Sequence, residues 1–91
     1  MQKEIECIIK GRVQMVMYRD FVRRKAKSLG LSGMVKNFED GSVRVIAQGD
    51  EDKLKKFLEF LKIGPIFAKV AYVDTKWTEA KEIYKNFKII Y

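Results

Sequence analysis

Arg19 closes the stretch Gly11-Arg12-Val13-Gln14-Met15-Val16-Met17-Tyr18-Arg19, which joins an alternating apolar segment to an amphipathic one. That placement is the outline of an anion site. The backbone N–H groups of a short loop and of a helix N-terminus have no intrahelical acceptors, and the aligned peptide dipoles put partial positive charge among them. An arginine at the same place adds a planar fork of donors that matches the oxygens of a phosphate. Asn37, just before a turn, is the second candidate: alone it reads as a turn residue bonding the backbone, and a place beside this loop is what favours a site role.

The elements that must position these side chains follow from apolar periodicity. Residues 4–10 alternate, with Ile5, Cys7 and Ile9 on one face, and read as a strand. Over residues 19–29, Val22, Ala26 and Leu29 form a helical stripe that Tyr18 extends. Arg23, Arg24, Lys25 and Lys27 turn mostly outward, and Gly30 ends the helix. Residues 32–37 and 42–48 are short strands around Phe38-Glu39-Asp40-Gly41, where Asp-Gly supplies the left-handed backbone of a hairpin turn. Asp50 is the expected N-cap of a second helix, whose Leu54, Phe57, Leu58 and Leu61 recur at helical spacing until Gly64-Pro65. Residues 68–77 read as a long strand and 87–91 as a short terminal one, with the polar segment Thr78 to Asn86 between them.

The order β-α-β-β-α-β, with a short fifth strand, predicts an α+β ferredoxin-like sandwich: two helices on one face of a mainly antiparallel sheet, in a single domain spanning 1–91. A crossover helix joins the first two strands, so they run parallel and end at the same edge. The Gly11–Arg19 loop and Asn37 are therefore expected side by side.

Composition limits the chemistry. The chain has 91 residues, 47% of them hydrophobic, enough for one core. With no histidine and a single cysteine, it lacks the commonest general base and metal ligand and cannot form an internal disulfide; no metal or cofactor is expected. Cys7 alternates inward and is expected in the core. Nineteen Lys and Arg against twelve Asp and Glu give a formal charge of +7, which suits an anionic partner, although most of the lysines are expected simply to solubilise the domain. Abundant Lys, Glu and Ile would also fit a heat-adapted source. The chain opens with no charged n-region and apolar run, so a soluble cytoplasmic protein is expected.

The two segments GRVQMVMYR at 11–19 and GMVKNFEDGSV at 33–43, with this element order, resemble the acylphosphatase family over essentially the whole chain. The resemblance implies metal-independent hydrolysis of the mixed anhydride of an acyl phosphate to a carboxylate and inorganic phosphate. It places phosphate binding on Arg19 and on the loop Gln14, Met15, Val16, Met17 and Tyr18, and orientation of the attacking water on Asn37. It also implies a small-molecule substrate, inorganic phosphate as a competitive inhibitor, a monomer, and no nucleic-acid or membrane partner. In some relatives a terminal carboxylate pairs with the arginine, and the carboxylate after Tyr91 is expected in that role.

Three positions depart from the family pattern: Met15 replaces a glycine, Tyr18 stands where phenylalanine is usual, and Met34 where an aromatic usually follows Gly33. Met15 is expected either to strain the loop or to misdirect its amides. Two alternatives accompany the acylphosphatase reading: a relative that binds phosphate without turnover, and an RNA-binding module of the same fold. The latter lacks the aromatics that such modules carry on their central strands.

Overall fold

The computed structural model describes residues 2–80 and 82–91. Lys81, within the polar segment before the last strand, lies outside the described residues. The elements are β1 (Lys3–Arg12), α1 (Tyr18–Ser28), β2 (Ser32–Asn37), β3 (Val43–Gly49), α2 (Glu51–Ile63), β4 (Lys69–Glu79) and β5 (Phe87–Ile90). The strands form one sheet in the order β4-β1-β3-β2-β5, the ferredoxin-like arrangement expected from the sequence. β3 is antiparallel to both β1 and β2, so those two run in the same direction on either side of it. β5 lies parallel to β2, with Lys36 opposite Ile90.

The core lies between the helices and one face of the sheet. Ile5 and Ile9 of β1, Val35 of β2 and Val45 of β3 meet Val22 of α1 and Leu54, Phe57 and Leu61 of α2, all essentially without solvent exposure. Alternation within the strands and the three- and four-residue spacing within the helices bring these side chains to the same layer. Cys7 is buried in that layer as expected, its Sγ 3.6 Å from the Thr75 hydroxyl.

Helix ends follow the sequence closely. Gly30, at φ +70°, closes α1: its N–H donates to the Lys27 carbonyl at 3.1 Å, and the Leu31 N–H to the Ala26 carbonyl at 2.9 Å. These two bonds make a Schellman motif. Asp50 does precede α2, with extended backbone, but its side chain makes no capping hydrogen bond; the Leu54 N–H bonds the Asp50 carbonyl instead, at 3.0 Å.

β1 runs farther than its alternating pattern indicated. A bulge at Lys10/Gly11 carries it on to Arg12 along β4. Gly11 sits at φ +131°, and a Cβ there would stand 2.2 Å from the Lys69 carbonyl oxygen, so only glycine lets the strands approach where the chain leaves for the loop.

Tyr18 fixes the start of α1. Its ring is 1% exposed and its hydroxyl donates to the Leu61 carbonyl at 2.7 Å. Leu61 lies in the last turn of α2, where carbonyls have no intrahelical donor, so the hydroxyl that distinguishes this residue from phenylalanine satisfies one of them. Burial pushes its pKa well above the usual tyrosine value. Tyr18→Phe is expected to lower stability by about 1–2 kcal/mol, because it leaves a buried carbonyl unpaired. Chemical denaturation tests this; an unchanged midpoint would show that water replaces the hydroxyl there.

Candidate active site

Between β1 and α1 the chain sends side chains alternately in and out. Val13 is buried and Val16 packs against the core, while Met15 is 99% and Met17 72% exposed. To achieve this with so few residues, the backbone turns left-handed twice, at Met15 (φ +60°) and at Met17 (φ +62°), the residue preceding α1. Each such turn by a non-glycine residue costs roughly 1–2 kcal/mol. The Met15 departure thus appears as backbone strain, and its side chain points away from the protein.

Gln14 supplies part of the restraint. Its side-chain amide donates to the Phe38 carbonyl at 2.7 Å and to the Ser42 carbonyl at 2.9 Å, tying the loop to the β2–β3 turn. That turn is itself closed by the Phe38 N–H on the Ser42 carbonyl at 2.9 Å. Asp40 accepts from both the hydroxyl (2.6 Å) and the N–H (3.0 Å) of Ser42, bonds that hold its carboxyl below the usual range.

The consequence is a row of free donors. The first backbone bond into α1 runs from Phe21 N–H to the Met17 carbonyl, at 3.1 Å, and the N-terminus has no side-chain cap. Among the described residues, the amides from Met15 to Asp20 have no hydrogen-bond acceptor.

Arg19, Asn37, Met15 and Met17 line one cavity of about 390 Å³, together with Ile89 and Tyr91. Loop and asparagine are thus brought together at the edge where β1 and β2 both end. The Oδ1 atom of Asn37 is buried and has no hydrogen-bond partner among the described residues. Of the loop residues singled out in the sequence, Gln14, Val16 and Tyr18 turn their side chains to the fold, so the loop offers an anion backbone N–H groups.

The terminal strand brings a group that the sequence placed differently. Against Arg19 lies the Tyr91 ring, with the guanidinium 4.8 Å from its centroid; no ion pair of Arg19 is found among the described residues. The β2–β5 register explains the contact: Lys36 pairs with Ile90, so the next residue of each strand, Asn37 and Tyr91, reaches the same edge. Asp20 also lines the cavity, but its carboxylate is engaged by Arg24 at 2.9 Å and lies 4.0 Å from Arg23. Met34 is remote from the cradle. It lies in a trough on the sheet face opposite the helices, with Phe38, Arg44 and Ile46. Burial pushes the Cys7 thiol up to about 11, which leaves it an inert core group.

The Acylphosphatase family model matches residues 5–89. An acylphosphatase of Caldanaerobacter subterraneus subsp. tengcongensis is 44% identical over 89 residues, covering 98% of this chain and 99% of that one. One from Thermus thermophilus is 49% identical over 72 residues, 79% of this chain and 82% of that one. In three dimensions, the crystal structure of acylphosphatase from Bacillus subtilis superposes with a TM-score of 0.95 at 37% identity, covering 98% of this chain and 99% of the other. Family model, full-length relatives and superposition agree with the two motifs that frame the cavity, and the chain belongs to the acylphosphatase family.

Proposed function

We propose that this acylphosphatase hydrolyses its acyl phosphate by direct attack of water on phosphorus, with no metal ion and no covalent enzyme intermediate. Arg19 and the amides of the Gln14–Tyr18 loop bind the phosphoryl oxygens, and Asn37 orients the water. The observation that carries this reading is the convergence on one cavity of residues with unpaired amides, an arginine without a carboxylate partner and Asn37, whose carboxamide oxygen has no partner among the described residues.

The chemistry needs little more. An acyl phosphate already has a good leaving group, and phosphoryl transfer of largely dissociative character is accelerated mainly by positioning and by stabilising charge on the peripheral oxygens. The water oxygen bonds to phosphorus as the bond from phosphorus to the acyl oxygen breaks. The carboxylate departs with that electron pair, and the water proton passes to the phosphate formed. Fixed backbone dipoles at a helix start stabilise this charge without having to reorganise. Asn37 holds the water through its carboxamide and aligns the water's lone pair with the scissile bond.

Several observations support the wider reading. The open faces of the central strands β1 and β3 present Glu6, Ile8, Arg44 and Ile46 instead of the stacked aromatics used by RNA-binding modules, which favours a small-molecule partner over nucleic acid. Among the described residues, no helix is long and apolar enough to cross a membrane. We read the protein as a cytoplasmic monomer, with inorganic phosphate as product and competitive inhibitor.

Arg19→Ala is expected to weaken phosphate binding and to lower kcat, whereas Asn37→Ala should lower kcat with KM nearly unchanged, since the first group meets the substrate's charge and the second meets only the water. Near-normal kcat/KM in either folded variant would remove that residue from the site. Benzoyl phosphate hydrolysis should persist in EDTA; activity lost on metal stripping and restored by a divalent ion would overturn the metal-free mechanism. Met15→Gly should stabilise the fold by about 1 kcal/mol, the left-handed strain relieved exceeding the chain entropy added to the unfolded state. Phosphate affinity should hold or rise, and a less stable or more weakly binding glycine variant would show that the methionine is adapted to this loop.

A further inference from the structure

The cradle does not end at Arg19. A second cavity of about 510 Å³ runs on from it along α1 and shares Met17, Asp20, Ile89 and Tyr91 with the first. Its α1 wall carries Arg23 and Lys27. Arg19, Arg23 and Lys27 are spaced four apart, so they follow one face of the helix, each step advancing about 6 Å along its axis.

Arg23 is incompletely partnered. Its Nε atom is buried without an acceptor among the described residues, and its nearest carboxylate is Asp20, 4.0 Å from a terminal nitrogen. Asp20 itself is turned to Arg24, whose Nε it meets at 2.9 Å, so the one acidic wall residue is already compensated from outside the trough. Where the two cavities meet, Met17, Ile89 and Tyr91 give an apolar surface beside Asp20.

We propose that this trough is an acyl-group subsite, fitted to acyl phosphates that carry a second anionic group, a carboxylate or phosphate, one to two helical turns from the scissile anhydride. Arg23 and Lys27 hold that distal anion, and Met17, Ile89 and Tyr91 pack against the spacer. The inference rests on the reading of Arg19 and the loop as the phosphoryl site.

Calorimetric titration of the full chain with two non-hydrolysable phosphonates, 4-carboxybenzylphosphonate and 4-methylbenzylphosphonate, tests it without requiring turnover. The carboxylate compound is expected to bind about five- to tenfold more tightly at low ionic strength, with the advantage shrinking as salt is added. The preference should vanish in Arg23→Gln/Lys27→Gln and survive in Lys53→Gln/Lys56→Gln, which removes the same charge from exposed positions on α2. Should the first double variant fold poorly, Lys27→Gln alone, at an exposed position, is expected to lose part of the preference. Equal or tighter binding of the methyl compound by the wild type, or equal loss of preference in both double variants, would overturn the subsite while leaving the cradle intact. If neither phosphonate nor inorganic phosphate binds, the phosphoryl site itself fails, and the subsite with it.

Discussion

Backbone N–H groups that the fold leaves without acceptors are the constraint on which the rest of this protein turns. A helix must leave its first amides unpaired unless a cap, water or ligand satisfies them. Here the residue before α1 is a left-handed methionine with no capping side chain, and the preceding loop contributes further amides in the same condition. In the proposed mechanism a tetrahedral phosphoryl group, rich in acceptors and negative charge, answers them together.

Keeping those donors unpaired has a cost, which the surrounding structure offsets. Two non-glycine residues are held at positive φ, a conformation that would relax if the loop were free. It is not free. Val13 and Tyr18 are buried on either side of the loop, Gln14 is bonded to two carbonyls of the β2–β3 turn, and the Tyr18 hydroxyl is anchored to the last turn of α2. The side chains that grip are apolar or neutral. Preorganisation of this kind makes electrostatic stabilisation effective at the moment of reaction.

The sequence made most of this legible, for reasons that vary by element. Alternation in β1 and helical spacing in both helices specified which faces would be buried, and the helical crossover between parallel strands then brought Arg19 and Asn37 to one edge. Features set by local backbone geometry were harder to read. The bulge at Gly11 lengthened β1 beyond its pattern, and the role of Gln14 depends on carbonyls that only the folded turn presents. Tyr91 shows the limit most clearly: the register of β5 brings residue 91 to the cradle, but nothing in the one-dimensional pattern shows that its ring, and not a carboxylate, lies against the guanidinium. Tyr18 carries a stronger signal, since a buried hydroxyl in place of a phenylalanine ring requires an acceptor, here the Leu61 carbonyl.

The central proposal is that the amides of the Gln14–Tyr18 loop bind the phosphoryl oxygens. Titration of the nitrogen-15-labelled protein with inorganic phosphate, followed by amide chemical shifts, tests it most directly. The account predicts that these amides move downfield together along a single saturation curve, joined by the Arg19 side-chain N–H signals. Phosphate that inhibits hydrolysis competitively yet leaves these resonances in place would contradict it, because the anion would then be held by groups other than the loop.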